Sequence, residues 1–129
     1  MLGADCILII LSMLDKSEAL ELEEEAISIG LDVLIETHDK IEMDIALGMK
    51  SKLIGINNRN LNDFSVDINN SINLTSNPIK GKIYVCESGI KTLKEVNIIK
   101  NNSVIRTFLI GESLMRSNDL EEQIRTLLI

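Results

Sequence analysis

The chain has 129 residues, 45% of them apolar and 26% charged, and a net charge of −7 at pH 7. This composition fits one soluble globular domain and excludes a disordered chain. The acidic balance and the scarcity of aromatic rings, with no Trp, argue against a nucleic-acid-binding protein. No apolar run is long enough to span a membrane, and the first run lacks the basic residues of a signal peptide. We therefore expect no membrane partner and a cytoplasmic location.

Five short apolar runs, rich in Ile, Val and Leu, recur along the chain. Each is too short for a helix and is predicted to be a buried parallel strand. The runs are residues 6–11, 33–35, 53–56, 83–86 and 108–110. The two cysteines, Cys6 and Cys86, lie in the first and fourth runs and are predicted to be core residues. With no CxxC pair, they indicate neither a zinc site nor a disulfide framework.

The segments between these runs carry helix signals. Four of them begin with an Asp or Thr followed three residues later by Glu, which is the spacing of a capping box. These pairs are Asp15 with Glu18, Asp39 with Glu42, Thr92 with Glu95, and Asp119 with Glu122. Gly30 fits a left-handed helix stop, and residues 67–75 are predicted to form a weaker helix. The acidic run at residues 21–25 is predicted to be a solvated helix face.

Strands that alternate with helices predict a parallel sheet covered by helices. Two architectures fit five βα units. A doubly wound, flavodoxin-like sheet closes comfortably at this length, whereas a (β/α)8 barrel needs eight units and roughly 200 residues or more. The periodicity alone favours the first architecture, and the residues at the strand ends favour the second.

Polar side chains follow the predicted strands, where parallel α/β folds collect their chemistry. Glu36 follows an apolar strand, so partial desolvation would suit it to general acid–base work, unless it is an exposed loop acid. Asn57 and Arg59 follow the third strand, and the Arg fork suits a phosphate or carboxylate, or else a surface ion pair. Glu87 is a candidate second acid or a polar cap of the sheet. His38, the only histidine, is predicted to be a loop residue rather than a base.

Two glycine-containing loops follow the last two strands. Ser88-Gly89 precedes a capped helix, and Gly111 precedes a short helix at residues 112–115. A glycine lets the backbone approach a ligand closely, and free N–H groups can hold an anion. Either glycine alone is more often a turn residue. Together, at matching positions, they predict a phosphate site of the kind found after the last strands of a barrel. The net positive charge of residues 45–129, with 11 Lys and Arg against 8 Asp and Glu, favours an anionic ligand there.

These segments resemble the indole-3-glycerol phosphate synthase family. Residues 3–9, GADCILI, are similar to its fourth strand, and LDVLIETHD at 31–39 to its fifth. KLIGINNRNL at 52–61, with Phe64 and Val66-Asp67 after it, resembles the sixth and is the most specific match. ESGI at 87–90 and IGESLM at 110–115 resemble the seventh and eighth. The resemblance covers essentially the whole chain, in order.

The resemblance implies a (β/α)8 barrel lyase of tryptophan biosynthesis. Such an enzyme converts the phosphorylated substrate 1-(2-carboxyphenylamino)-1-deoxyribulose 5-phosphate to indole-3-glycerol phosphate, releasing carbon dioxide and water, with no metal or organic cofactor. It implies that Glu36 is the catalytic carboxylate and that Asn57 and Glu87 contact substrate near the reacting atoms. It also implies that Arg59 lies beside the mouth of the site. The phosphate-binding residues implied are Ser88, Gly89, Gly111 and Glu112.

The departures from the family are as informative. Its first three strands have no counterpart in residues 1–129, which we expect to form a single domain, a truncated TIM barrel. The family's first-strand glutamate and its third-strand general-acid lysine are therefore missing, so we expect little turnover by this chain alone. Lys50-Ser51 replaces a usual Gly-Ala, which requires either a left-handed Lys50 or a changed loop.

Three hypotheses remain open. The chain is a lyase fragment, or a complementing half or inactive remnant that binds a strand 1–3 polypeptide, or a non-catalytic flavodoxin-like domain. Unpaired sheet edges and an apolar inner face also predict self-association.

Overall fold

The computed structural model describes residues 3–61 and 63–128. Five parallel strands form one sheet in the order β1-β2-β3-β4-β5. The strands are β1 (Cys6–Ile10), β2 (Asp32–Thr37), β3 (Leu53–Asn57), β4 (Ile83–Glu87) and β5 (Thr107–Leu109). The helices are α1 (Lys16–Ser28), α2 (Lys40–Gly48), α3 (Asn69–Leu74), α4 (Leu93–Asn102), α5 (Glu112–Met115) and α6 (Leu120–Leu128), with a short 3-10 turn at Leu11–Met13. All the predicted strands are confirmed, and their ends differ from the predicted ones by at most two residues.

The strand order selects the barrel architecture over the flavodoxin-like one. Each strand pairs with the next one along the chain. Right-handed crossovers between such neighbours place every helix on the same face of the sheet, whereas a doubly wound sheet reverses its order and carries helices on both faces. One core joins helices and strands, with Ile9, Ile35 and Ile54 packed against Met43 and Ile99. The fold is therefore an open, partial (β/α)8 barrel.

Side-chain caps start α1 and α4 as the sequence predicts. The capping boxes of α1 (Asp15 with Glu18) and α4 (Thr92 with Glu95) are complete. Gly30 ends α1 with a φ of +83°, as predicted. These local bonds satisfy backbone N–H groups that would otherwise lack partners at helix ends.

Two further caps are only half of the predicted box. The Asp39 side chain accepts from the N–H of Glu42, and the Asp119 side chain from that of Glu122. The Glu42 carboxylate, however, bonds to the backbone N–H of His38, one residue before the cap. This shift brings Glu42 to the end of β2.

The predictions for Cys6 and Glu23 are wrong. Cys6 is exposed because its side chain points to the face opposite the helices, whereas Cys86 is buried as predicted. Glu23, in the run predicted to be solvated, is only 1% exposed. It accepts from the N–H of Ser51 (2.6 Å) and from that of Lys50 (3.1 Å).

These bonds explain how the chain does without glycine after α2. Among the described residues, the positive-φ positions other than glycine are Phe64 and Ser88, so Lys50 is not left-handed. Glu23 holds the loop amides instead, and the Lys82 ammonium donates to the carbonyls of Met49 (2.8 Å) and Ser51 (2.6 Å). Of the two alternatives predicted for Lys50-Ser51, a left-handed Lys50 or a changed loop, the structure therefore has the changed loop.

The other face of the sheet, which we call the open face, carries no helix from the described residues. Alternation along each strand places one layer of side chains there in direct register: Leu8, Leu34, Leu53 and Ile83. Leu8 is 50% exposed, Ile83 46%, and Leu109 of β5 51%. In the part of the chain described, no helix is both long and apolar enough to cross a membrane.

Candidate active site

Parallel register brings the polar strand-end residues together above the apolar layer of the open face. Glu36 is opposite Gly55, and Asn57 is opposite Glu87. A cavity of about 650 Å³ opens at this edge of the sheet. All the site residues predicted from the sequence line it: Glu36, Asn57, Arg59, Glu87, Ser88, Gly89, Gly111 and Glu112.

Two carboxyl groups form the buried floor of this cavity. Glu36 is 7% exposed and Glu87 5%, although both side chains are ionisable. The Asn57 amide donates to Glu36 Oε1 at 3.1 Å, and the Asn57 oxygen accepts from the N–H of Arg59. Asn57 therefore fixes Glu36 and, at the same time, the start of the loop after β3.

Gly55 makes room for the pair. A Cβ at this position would overlap Glu87 Oε1 and touch Leu34 Cδ1. The Glu87 side chain thus crosses the bare backbone of β3 towards Glu36. Here the absence of a side chain, rather than backbone freedom, is what the sheet requires.

Burial and the neighbouring carboxylate keep a proton on Glu87. Desolvation, and after it the neighbouring, negatively charged Glu36 carboxylate, raise the pKa of Glu87 to about 8. Glu87 Oε1 is buried and has no hydrogen-bond partner among the described residues. The pair can therefore present one proton-carrying and one proton-accepting oxygen to a molecule in the cavity, as acid–base chemistry requires.

The loop after β4 has an unusual backbone. Ser88 has a φ of +62° and Gly89 a φ of +81°. A Cβ on Gly89 would lie 2.8 Å from Val66 Cγ1. The buried Asn58 side chain donates to the Ser88 carbonyl at 3.1 Å and accepts from the Ser71 hydroxyl at 2.8 Å. Asn58, which the sequence analysis missed, therefore holds this loop in place.

Arg59 and Glu112 bridge the mouth of the cavity. The guanidinium donates to Glu112 at 2.8 Å, and with Arg116 nearby it lowers the pKa of Glu112. This is the ion pair that the sequence analysis gave as the alternative for Arg59. Gly111 has a φ of −116°, and the space that a Cβ would occupy there is open, so neither backbone strain nor crowding requires glycine at this position.

His38 contacts the site more closely than the sequence analysis predicted. It does lie in the loop after β2, but its Nε2 is 3.2 Å from Glu36 Oε1 and its Nδ1 is 3.1 Å from Glu42 Oε2. The sequence spacing could have predicted these contacts, since residues 36 and 38 project from the same side of an extended chain and Glu42 is one helical turn onward.

The described residues hold no cluster of three or more His, Cys, Asp or Glu placed to bind a metal.

A parallel sheet whose strands follow the order of the chain, with its helices on one face, is the architecture of the (β/α)-barrel class of proteins. The indole-3-glycerol phosphate synthase family model matches residues 1–127, and the chain belongs to that family.

Comparison with individual proteins gives the same result. The chain is 43% identical over 127 residues to indole-3-glycerol phosphate synthase of Azospirillum brasilense. The aligned residues make up 98% of this chain and 48% of that relative. It is 45% identical over 124 residues to indole-3-glycerol phosphate synthase 2 of Ralstonia nicotianae, covering 96% and 46%. The chain thus spans about half the length of these curated relatives.

A solved structure supports the fold alone. A chain of the Amycolatopsis orientalis BexX/CysO complex superposes with a TM-score of 0.60 at 14% identity, over 88% of this chain and 50% of that one.

Proposed function

We propose that this chain supplies one half of an indole-3-glycerol phosphate synthase active site. The observation that carries the proposal is the contact of two buried carboxyl groups, Glu36 and Glu87, beneath a cavity that all the predicted site residues line. In the proposed reaction, ring closure of a carboxyphenylamino-deoxyribulose phosphate is followed by loss of carbon dioxide and water.

Each strand-end residue has a proposed role. Glu36 moves protons during ring closure and dehydration, and Glu87 holds a proton beside it because burial raises its pKa to about 8. Asn57 orients Glu36 through the 3.1 Å bond. Ser88, Gly89 and Gly111, together with the backbone of Glu112, hold the phosphate, and Arg59 lies at the entrance.

The proposed site needs a further acid. Loss of the substrate's carbonyl oxygen calls for a proton donor, and no lysine in this sequence matches the family's third-strand lysine. We propose that a polypeptide carrying the first three βα units of the family covers the open face and brings this donor. A partner at this face is supported by the exposure of Leu8, Ile83 and Leu109, which are each about half exposed. Burying such apolar surface against a partner would stabilise the complex.

Ligand binding tests the proposal without requiring turnover. Because the chain has no Trp, the emission anisotropy of indole-3-glycerol phosphate reports its binding directly. We expect saturable binding that Gly89→Ala weakens about tenfold or more, since its Cβ would push the loop from Val66. Gly48→Ala is the matched control, because nothing lies near its Cβ. Equal affinity in both variants would contradict the assigned phosphate loop.

A further inference from the structure

His38 connects the candidate active site with a second cavity. This cavity, of about 700 Å³, lies beside the first and shares Asn57 and Arg59 with it. His38 and Glu42 line the second cavity, whereas Glu36 lines only the first. The His38 ring stands between the two carboxylates, with its side chain 12% exposed, that of Glu36 9% and that of Glu42 15%.

The hydrogen bonds determine which ring nitrogen carries the proton. Glu42 Oε2 accepts from the His38 backbone N–H at 2.7 Å, and the same oxygen is 3.1 Å from Nδ1. The Nδ1 contact has the geometry of a hydrogen bond, whereas Nε2 makes none although Glu36 Oε1 is 3.2 Å away, so we assign the ring proton to Nδ1. In this tautomer Nε2 carries no proton and presents its lone pair.

That lone pair faces Glu36 without a good partner. Nε2 is buried, lacks a hydrogen bond among the described residues, and is 3.2 Å from Glu36 Oε1. The position of the loop is also fixed, since the Asn70 amide donates to the His38 carbonyl at 3.0 Å. The charged groups facing the ring are Glu36 from β2 and Glu42 from α2, with Asp39 beside it as the α2 cap.

We propose that His38 is a positioning residue that relays a proton between Glu36 and Glu42. The proposal rests on the proposed function, since it deepens the role of Glu36. The neutral Glu36 acid gives its proton to Nε2, and Nδ1 releases its own proton to the Glu42 carboxylate. Glu36 becomes a carboxylate, Glu42 becomes a neutral acid, and the ring changes tautomer. Glu42 then loses the proton to solvent in the second cavity.

Nitrogen-15 NMR of the imidazole tests the relay, because His38 is the only histidine and its ring signals need no assignment. At pH 8 we expect a proton on Nδ1 and none on Nε2. Glu42→Ala should move the proton to Nε2, and Glu42→Gln, which keeps an acceptor oxygen, should restore Nδ1. Asp44→Ala is the control, since Asp44 is exposed and pairs with Lys40 on the outer surface of α2. A wild-type ring protonated at Nε2, or unchanged in Glu42→Ala, would overturn the proposal.

A second variant tests the other end of the relay. Glu36→Gln should shift the Nε2 resonance, whereas Glu25→Gln, on exposed α1 surface, should not. An unmoved Nε2 signal in Glu36→Gln would also overturn the relay. These measurements need no substrate, so they stand apart from the binding test of the proposed function. Indole-3-glycerol phosphate that fails to bind would refute the proposed function while leaving the tautomer result intact.

Discussion

The carboxyl group of Glu87 crosses the bare backbone of Gly55 to meet Glu36 on the far side of β3. β2 and β4 thus contribute one carboxyl group each, and Gly55 of β3, between them, leaves the space that the Glu87 side chain occupies. The contact requires three residues on three strands in fixed register, because a one-residue slip would turn each side chain to the opposite face.

Gly55→Ala should destabilise the chain by about 1–3 kcal/mol, the usual cost of forcing atoms into a packed site. The added Cβ would occupy the position of Glu87 Oε1. In a Glu87→Ala background this overlap disappears, so the same substitution should cost much less. Urea unfolding of the four proteins in this cycle measures the coupling. Equal costs in both backgrounds would show that Glu87 does not lie over Gly55.

Glu87→Gln should change how stability depends on pH. The pKa of Glu87 rises from an ordinary value of 4.5 to about 8 on folding. Between these values the folded state binds more protons than the unfolded state, so the free energy of unfolding falls as pH rises. Glu87→Gln should remove this part of the slope, so that the stability of the variant relative to the wild type rises from pH 5 to 8. Exposed Glu25→Gln serves as the control. Parallel stability curves for wild type and Glu87→Gln would contradict the raised pKa.

Glu23→Gln should cost about 1–3 kcal/mol, because an amide cannot accept from both loop N–H groups as the carboxylate does. The two bonds, to Lys50 and Ser51, are buried or partly buried. The neighbouring Glu24 pairs with Lys50 at the exposed surface, and Glu24→Gln should have a small effect. Thermal unfolding compares the two variants. A larger loss for Glu24→Gln would refute the role assigned to Glu23.

Self-association should depend on the open face. Leu8 and Leu109 lie on the two edge strands and are about half exposed, at 50% and 51%. We expect Leu8→Lys with Leu109→Lys to lower the apparent mass in light scattering, because charge on an edge opposes strand pairing. Ile41, 74% exposed on α2, gives the control Ile41→Lys. A wild-type chain that elutes as a clean monomer would argue against this prediction.

The sequence predicted most of the fold because local signals agree with the final structure. Each apolar run is a strand, and the caps at Asp15 and Thr92 start helices. The residues of the candidate site were also predictable, because strand ends meet at one edge of a parallel sheet. The long-range contacts were not. No local sequence pattern predicts that the Glu23 carboxylate accepts hydrogen bonds from a loop 27 residues further along the chain.

Two predictions failed or fell short for the same reason. Cys6 belongs to an apolar run, yet which face of β1 is covered depends on where the helices pack. His38 follows β2 as a loop residue should, but its contact with Glu42 depends on the incomplete capping box at Asp39. Periodicity specifies which residues share a face, and only tertiary packing specifies what lies against it.

The most direct test of the central claim is indole emission after adding the carboxyphenylamino-deoxyribulose phosphate substrate. The chain would be assayed alone and mixed with the first three βα units of a relative such as the Azospirillum brasilense protein. Since the chain has no Trp, its own background is low. We predict emission only in the mixture, and its loss in a mixture made with Glu36→Gln. A mixture that forms a complex but gives no emission, or gives the same emission with Glu36→Gln, would contradict the claim.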